Sequence, residues 1–362
     1  MSSPPAPKAG CYYADYLKLD RLLAAQAPES ARHGRPAHDE MLFIIVHQAY
    51  ELWFKQILHE LDRIQADFGG DVVEDECLGR IVHALDRINE ILKLLIQQLE
   101  VLETMTPLDF LDFRDFLFPA SGFQSVQFRL IEVRLGLARD ARSNYAGKPF
   151  DDTLSESDRS RVAAAERGRK LIDQLDGWLS RTPFVHRPDY DFSREYRDAV
   201  RRMLEDDAAR VRAHATMSAE QREAEARRIE ASLAEFQAIF APASEPSPWR
   251  MSRAAVQAAL FITVYRDRPV LQLPFRLLAA LMNVDELMTL WRYRHALMGQ
   301  RMIGVKVGTG GSAGHDYLRE TAARHRIFSD LFRLSTYLIP RSRLPSLPRE
   351  LEDAMGYRYA AR

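Results

Sequence analysis

Hydrophobic positions recur every three or four residues along most of this chain. In residues 38–67, Leu42, Phe43, Val46, Tyr50, Trp53, Phe54, Ile57, Leu58 and Leu61 fall on one side of a helix. Residues 75–104 repeat the pattern with Leu78, Ile81, Val82, Leu85, Ile88, Leu92, Leu95 and Leu99, and shorter stretches at 107–116 and 123–138 follow. Alternation of period two between turn residues is almost absent, so the pattern predicts an all-α fold. Residues 139–170 turn polar, and 192–239 carry dense mixed charge with a sparse apolar stripe of Val200, Met203, Leu204 and Val211. That stripe reads as a solvated helical hairpin. After a loop at 241–248 (APASEPSP), core-like helices resume at 254–265, 277–282 and 285–303. The layout predicts one helical body over residues 1–362, interrupted by a protruding charged excursion at 140–250.

Composition narrows the class. At about 150 residues per domain, 362 residues fit two or three domains or one large helical body. Hydrophobic residues at 46% and charged residues at 28% are ordinary globular values. Fifty Lys and Arg against 51 Asp and Glu give a net charge of −1, which supplies no field to gather nucleic acid or an anionic membrane. The two cysteines, Cys11 and Cys77, build neither a disulfide framework nor a four-thiolate zinc site. No apolar run approaches the roughly 20 residues of a membrane span, and the N-terminus lacks a signal-peptide stretch. The expectation is a cytoplasmic protein with no nucleic-acid or membrane partner.

Four places carry residues suited to chemistry. His47, in LFIIVHQAYELWF, shares an aromatic helix face with Phe43 and Tyr50. It is either a core histidine satisfied by a carbonyl or an acceptor in an apolar pocket, where desolvation keeps imidazole neutral. His295, in LWRYRHALMGQRM, shares a face with Val284, Met288, Trp291, Met298 and Met302, among Arg292, Arg294 and Arg301. Core packing explains such a stripe, and so does an axial haem ligand with arginines meeting the propionates. Arg114 follows Phe110 by four residues, so it either pairs with Asp112 or Asp115 or captures a substrate carboxylate in an apolar cleft. Ser121 and Gly122 follow at a turn. Residues 304–314 (GVKVGTGGSAG) place Gly308, Gly310 and Ala313 at dinucleotide spacing, but a helix precedes them and no βαβ unit surrounds them. Nucleotide binding is therefore excluded. The segment is either a plain surface loop or a glycine loop folding over a small ligand, with Thr309 at its centre.

Together the blocks LFIIVHQAYELWFKQI, ETMTPLDFLDFRDFLFPASGFQSVQFRLIE, LMTLWRYRHALMGQRMIGVKVGTGGSAG and FRLSTYLIPR resemble the tryptophan 2,3-dioxygenase family, from about residue 12 to residue 341. The long excursion and the STYLIPR ending resemble its larger animal-type members. The resemblance implies a helical homotetramer carrying haem b. With O₂ as co-substrate it would add both oxygen atoms across the indole C2–C3 bond of L-tryptophan, giving N-formylkynurenine. It further implies His295 as the axial ligand of the haem iron, with Trp291, Ser121 and Gly122 in the haem pocket. His47 would be the catalytic distal histidine that accepts the indole N–H. Phe43 and Phe110 would lie against the substrate, Arg114 on its carboxylate, and Thr309 on its ammonium or carboxylate. Tyr13, Tyr16 and Leu17, within residues 1–35, would complete a neighbouring subunit's pocket. Phe110 stands where bacterial members have tyrosine, Ala120 lacks a hydroxyl that some members place near the haem, and HALMG contains no cysteine for covalent haem attachment. Three rivals stay open: a relative that mono-oxygenates a substituted tryptophan or indole, a haem-binding sensor without turnover, and a structural helical scaffold.

Overall fold

An amphipathic helix must bury its apolar stripe against another element, and here three long helices supply most of that cover for one another. The computed structural model describes residues 10–70, 72–139, 154–241, 244–304 and 325–357. Short helices α1 (Tyr13–Leu17), α2 (Leu19–Leu22) and α3 (Glu29–Arg32) lead into the long α4 (Glu40–Asp67) and α5 (Asp75–Leu102). There follow α6 (Pro107–Arg114), α7 (Val126–Leu135), α8 (Glu156–Arg167), α9 (Leu171–Leu179), α10 (Phe192–Arg212), α11 (Ala219–Ala238), α12 (Arg253–Val264) and α13 (Pro269–Ile303). Two short helices, Ser329–Arg333 and Arg349–Ala354, close the chain. Among the described residues the extended pairing is a single bridge between His186 and Asp191, and the fold is all-α as expected.

Helix α5 is the spine. It buries Ile81, Leu85, Ile88, Leu92, Leu95 and Leu99 on successive turns, each such side chain contributing about 1.5–3 kcal/mol. Helices α4 and α13 both pack along α5, while their backbones approach each other at few points. Buried Asn89 ties the spine to α13, its Nδ2 donating to the Ala280 carbonyl at 3.1 Å.

Two features differ from the sequence reading. The separate stretches 277–282 and 285–303 belong to one helix of 35 residues, which begins at Pro269 and runs through Pro274. Proline suits the first helical position, and Pro274 removes the bond to the Val270 carbonyl, on a residue 36% exposed to solvent. The 140–250 stretch, expected to protrude, instead lends much of itself to the core. Leu171, Leu175 and Leu179 of α9 and Phe192, Tyr196 and Val200 of α10 are buried there, and the Tyr196 hydroxyl donates to the Tyr337 carbonyl at 2.6 Å. Beyond Leu204, α10 and α11 form the charged hairpin that the pattern predicts, with Arg212 and Glu230 at 2.8 Å. Gly136 ends α7 at φ 110°, where a Cβ would stand 2.4 Å from Cγ2 of Ile172, so the docking of α9 on α7 requires the glycine.

Candidate functional site

The cleft between α4 and α13 holds the two histidines. On α4, the Nδ1 of His47 lies 2.7 Å from the Phe43 carbonyl one turn earlier. A carbonyl only accepts, so Nδ1 carries the proton and Nε2 is left as the acceptor nitrogen. Burial pulls the His47 pKa down, against the carbonyl bond and the nearby Glu51 charge, which push it up. The ring is packed by Phe43 at 4.0 Å, and Phe43 in turn meets Phe113 at 5.5 Å and Phe110 at 5.8 Å. His47 thus stands at the edge of an aromatic cluster drawn from α4 and α6.

On α13, His295 keeps a partly exposed edge, but its Nδ1 is buried and meets no hydrogen-bond partner among the described residues. Desolvation lowers its pKa to about 4, and the proximity of His47 adds to the shift. Both imidazoles are neutral near pH 7. Trp291, one turn earlier, stacks on His295 with centroids 5.2 Å apart and an interplanar angle of 21°. Phe128 at 5.0 Å and Tyr50 at 6.1 Å hold Trp291 from the other side. Burial pushes the Tyr50 phenol up to about 12, so it stays a neutral donor to the Leu95 carbonyl.

Arg114 is half-buried at the C-terminal end of α6, one residue beyond the fully buried Phe113. α6 is fixed at its start by a capping box: Thr106 Oγ1 accepts from the Asp109 N–H at 3.3 Å, and the Asp109 carboxylate accepts from the Thr106 N–H at 2.9 Å. The Ser121–Gly122 turn is capped in the same way, with Ser121 Oγ accepting from the Phe123 N–H at 3.3 Å. A Cβ on Gly122 would meet nothing within 4 Å, so no protein neighbour requires a glycine there. Tyr13, Tyr16 and Leu17 lie on α1, which buries none of its residues, with both tyrosines at least 70% exposed. Thr309, with Gly308, Gly310 and Ala313, lies outside the described residues.

The model of a family described as tryptophan 2,3-dioxygenase matches residues 4–338. A protein of that name from Bdellovibrio bacteriovorus is 47% identical, covering 99% of this chain and 100% of its own. Those from Alteromonas mediterranea and Dictyostelium discoideum are 44% and 43% identical, over 96% and 97% of this chain and 97% and 89% of their own. The chain belongs to the tryptophan 2,3-dioxygenase family. Because the two bacterial relatives match over 100% and 97% of their length, the excursion-bearing form of the family is not confined to animals.

The family implies a haem, and the residues present fit one. The cleft offers a neutral imidazole whose Nδ1 is orphaned, a flat indole stacked on it, and a glycine whose missing side chain leaves open space. The arginines near His295 correct the sequence reading. Arg292 is buried in an ion pair with Glu132 at 2.8 Å, and Arg294 lies within 3.7 Å of Glu100 and Glu103. Both are committed to carboxylates of the chain rather than held in reserve for propionates.

Sequence reasoning also missed a buried polar cluster behind Trp291. Glu132, 1% exposed, accepts from Arg129 at 3.0 Å and Arg292 at 2.8 Å, with His325 Nδ1 at 3.4 Å. The Asp285 carboxylate accepts the backbone N–H groups of Ile327 at 2.9 Å and Phe328 at 2.6 Å. These bonds fasten residues 325–328 and α7 to the histidine-bearing helix. The available signal was Glu132 flanked by Ile131 and Val133 on the apolar face of α7, three residues after Arg129.

Proposed function

We propose that this chain catalyses the dioxygenation of L-tryptophan to N-formylkynurenine, with haem b as cofactor and O₂ as co-substrate. The observation that carries the reading is the pair of neutral histidines across one aromatic cleft, His47 with its acceptor nitrogen free and His295 with its Nδ1 orphaned. His295 would hold the haem iron, with Trp291 beside the ring and Ser121 and Gly122 at its edge. Bound there, the haem would supply the redox chemistry with dioxygen that no side chain of the chain can perform.

The chain's own residues do the rest. His47 Nε2 accepts the indole N–H and so fixes the turn of the ring in its plane. Phe43 and Phe110 press on the indole faces and keep water from C2 and C3. Arg114 binds the carboxylate at the other end of the substrate, and Thr309 its ammonium or carboxylate. Two polar anchors at opposite ends of a rigid molecule hold the reacting carbons in one place, which is the main contribution a protein makes to such a reaction. A tryptophan analogue without the carboxylate forgoes the charge-assisted contact with Arg114, so selectivity follows from the same contact.

Self-association supports the site. The exposed tyrosines of α1 and the exposed apolar row Leu290, Tyr293 and Leu297 on α13 suit a homotetramer in which residues 1–35 reach a neighbouring pocket. Free Cys11 and Cys77, and no helix among the described residues long and apolar enough to cross a membrane, agree with a cytoplasmic setting. The deciding experiment is mass spectrometry of the product formed from L-tryptophan under ¹⁸O₂ by haem-loaded, reduced protein. Two labelled atoms in N-formylkynurenine are expected. One labelled atom would replace the reading with mono-oxygenation, and haem binding without product would replace it with a sensor.

A further inference from the structure

The face of α4 that carries Phe43 and His47 continues to Glu51, four residues and about 6 Å further along the helix. Glu51 is half-buried, yet it makes no ion pair among the described residues, not even with the exposed Lys55 one turn on. Its partner is a neutral amide. The Nε2 group of Gln127, in the first turn of α7, donates to Glu51 Oε2 at 2.7 Å and to the Glu51 carbonyl at 2.8 Å. This end of α7 is itself held in place. Ser125 Oγ accepts from the Phe128 N–H at 3.3 Å, and the Phe128 ring meets Phe54 of α4 at 5.4 Å and Trp291 of α13 at 5.0 Å. Gln127 therefore reaches Glu51 from a support wedged between the two histidine-bearing helices.

An amide orients a carboxylate without cancelling its charge, whereas a lysine or arginine would do both. The negative charge of Glu51 is left to act on its surroundings, and it favours the proton-binding side of His47 against the effect of burial. Because Nδ1 already holds its proton on the Phe43 carbonyl, the gain falls on Nε2, the acceptor nitrogen. We propose that Glu51, oriented by Gln127, is a positioning residue that acts through His47, strengthening Nε2 as the acceptor of the indole N–H. The assignment rests on the dioxygenase reading above, in which His47 meets that N–H.

The test compares two ligands on haem-loaded protein by equilibrium dialysis: L-tryptophan, and its benzothiophene analogue, in which sulfur replaces the indole N–H. Wild type should bind tryptophan more tightly, because only tryptophan donates to His47. E51Q keeps the shape of the side chain and removes its charge. It should raise Kd for tryptophan about threefold and leave Kd for the analogue unchanged. A disturbed pocket would weaken both ligands alike, so equal shifts overturn the proposal, as does a wild-type Kd for tryptophan in E51Q. Where E51Q does not fold, Q127M removes the amide that orients the carboxylate, and a smaller loss confined to tryptophan is expected. A parallel loss for both ligands, or none, overturns the proposal there too. The two readings fail separately. Wild type that binds both ligands equally takes His47 off the indole N–H, and both readings of that contact fall. Wild type that discriminates, with E51Q discriminating just as well, removes Glu51 alone.

Discussion

A single proton decides what His47 can do. The bond from Nδ1 to the Phe43 carbonyl is local, made within one helical turn, so any sequence that keeps α4 helical here keeps the tautomer. Spacing placed His47 on an aromatic helix face beside Phe43, while the parts assigned to these residues and to Phe110 came from the family resemblance; the three rings gather in one cluster. Arg114 is different in kind, because its proposed partner is the substrate. Truncation in R114A removes a charge-assisted contact of about 1.5–3 kcal/mol, so KM for L-tryptophan should rise roughly 10- to 150-fold with a smaller change in kcat. Steady-state kinetics check this, and an unchanged KM takes Arg114 out of substrate binding.

At the scale of elements, the sequence was legible wherever periodicity ran unbroken and failed where contacts join distant segments. Helices α4 and α5 could be read directly, whereas α13 read as two pieces parted at Asn283, and its first turns around Pro269 and Pro274 were not read as helix at all. The Glu132 cluster was invisible because its partners, Arg292 and His325, lie 160 and 193 residues away. Its energetics are testable by pH. Burial alone would raise the Glu132 pKa, but Arg129, the His325 hydrogen bond and Arg292 outweigh burial and hold it well below the usual 4.5. The folded value is below the unfolded one, so the carboxylate stabilises the fold above pH 4.5 and loses that contribution as pH falls further. E132Q leaves two buried guanidinium groups without their anion, at a cost of about 3–5 kcal/mol near neutral pH. The gap between wild type and E132Q in chemical denaturation should narrow steadily below pH 4.5, and a gap independent of pH would show that the charge contributes nothing.

For the whole molecule, the N-terminal arm is the test of assembly. Tyr12, just ahead of α1, and Tyr13 and Tyr16 within it are exposed to solvent in the single chain, a costly display of aromatic surface unless another subunit covers it. Deleting residues 1–17 should leave a folded, haem-binding protein with sharply reduced turnover. Light scattering and product assays together decide it, and full activity in the shortened chain would detach the arm from the pocket. The charged hairpin of α10 and α11 shows why the outline of the molecule was harder to read than its parts. Charge density along a helix identifies a solvated face, but it gives no sign that Phe192 and Tyr196 at one end are fully buried.

The spine arrangement carries a consequence for descent. Because α4 and α13 each pack along α5 and meet one another through a few side chains such as Tyr50 and Trp291, a change on either histidine-bearing helix must fit a shared third surface as well as those few direct contacts. The constraint that preserves the spacing of the pair therefore falls largely on α5, a helix that supplies neither histidine.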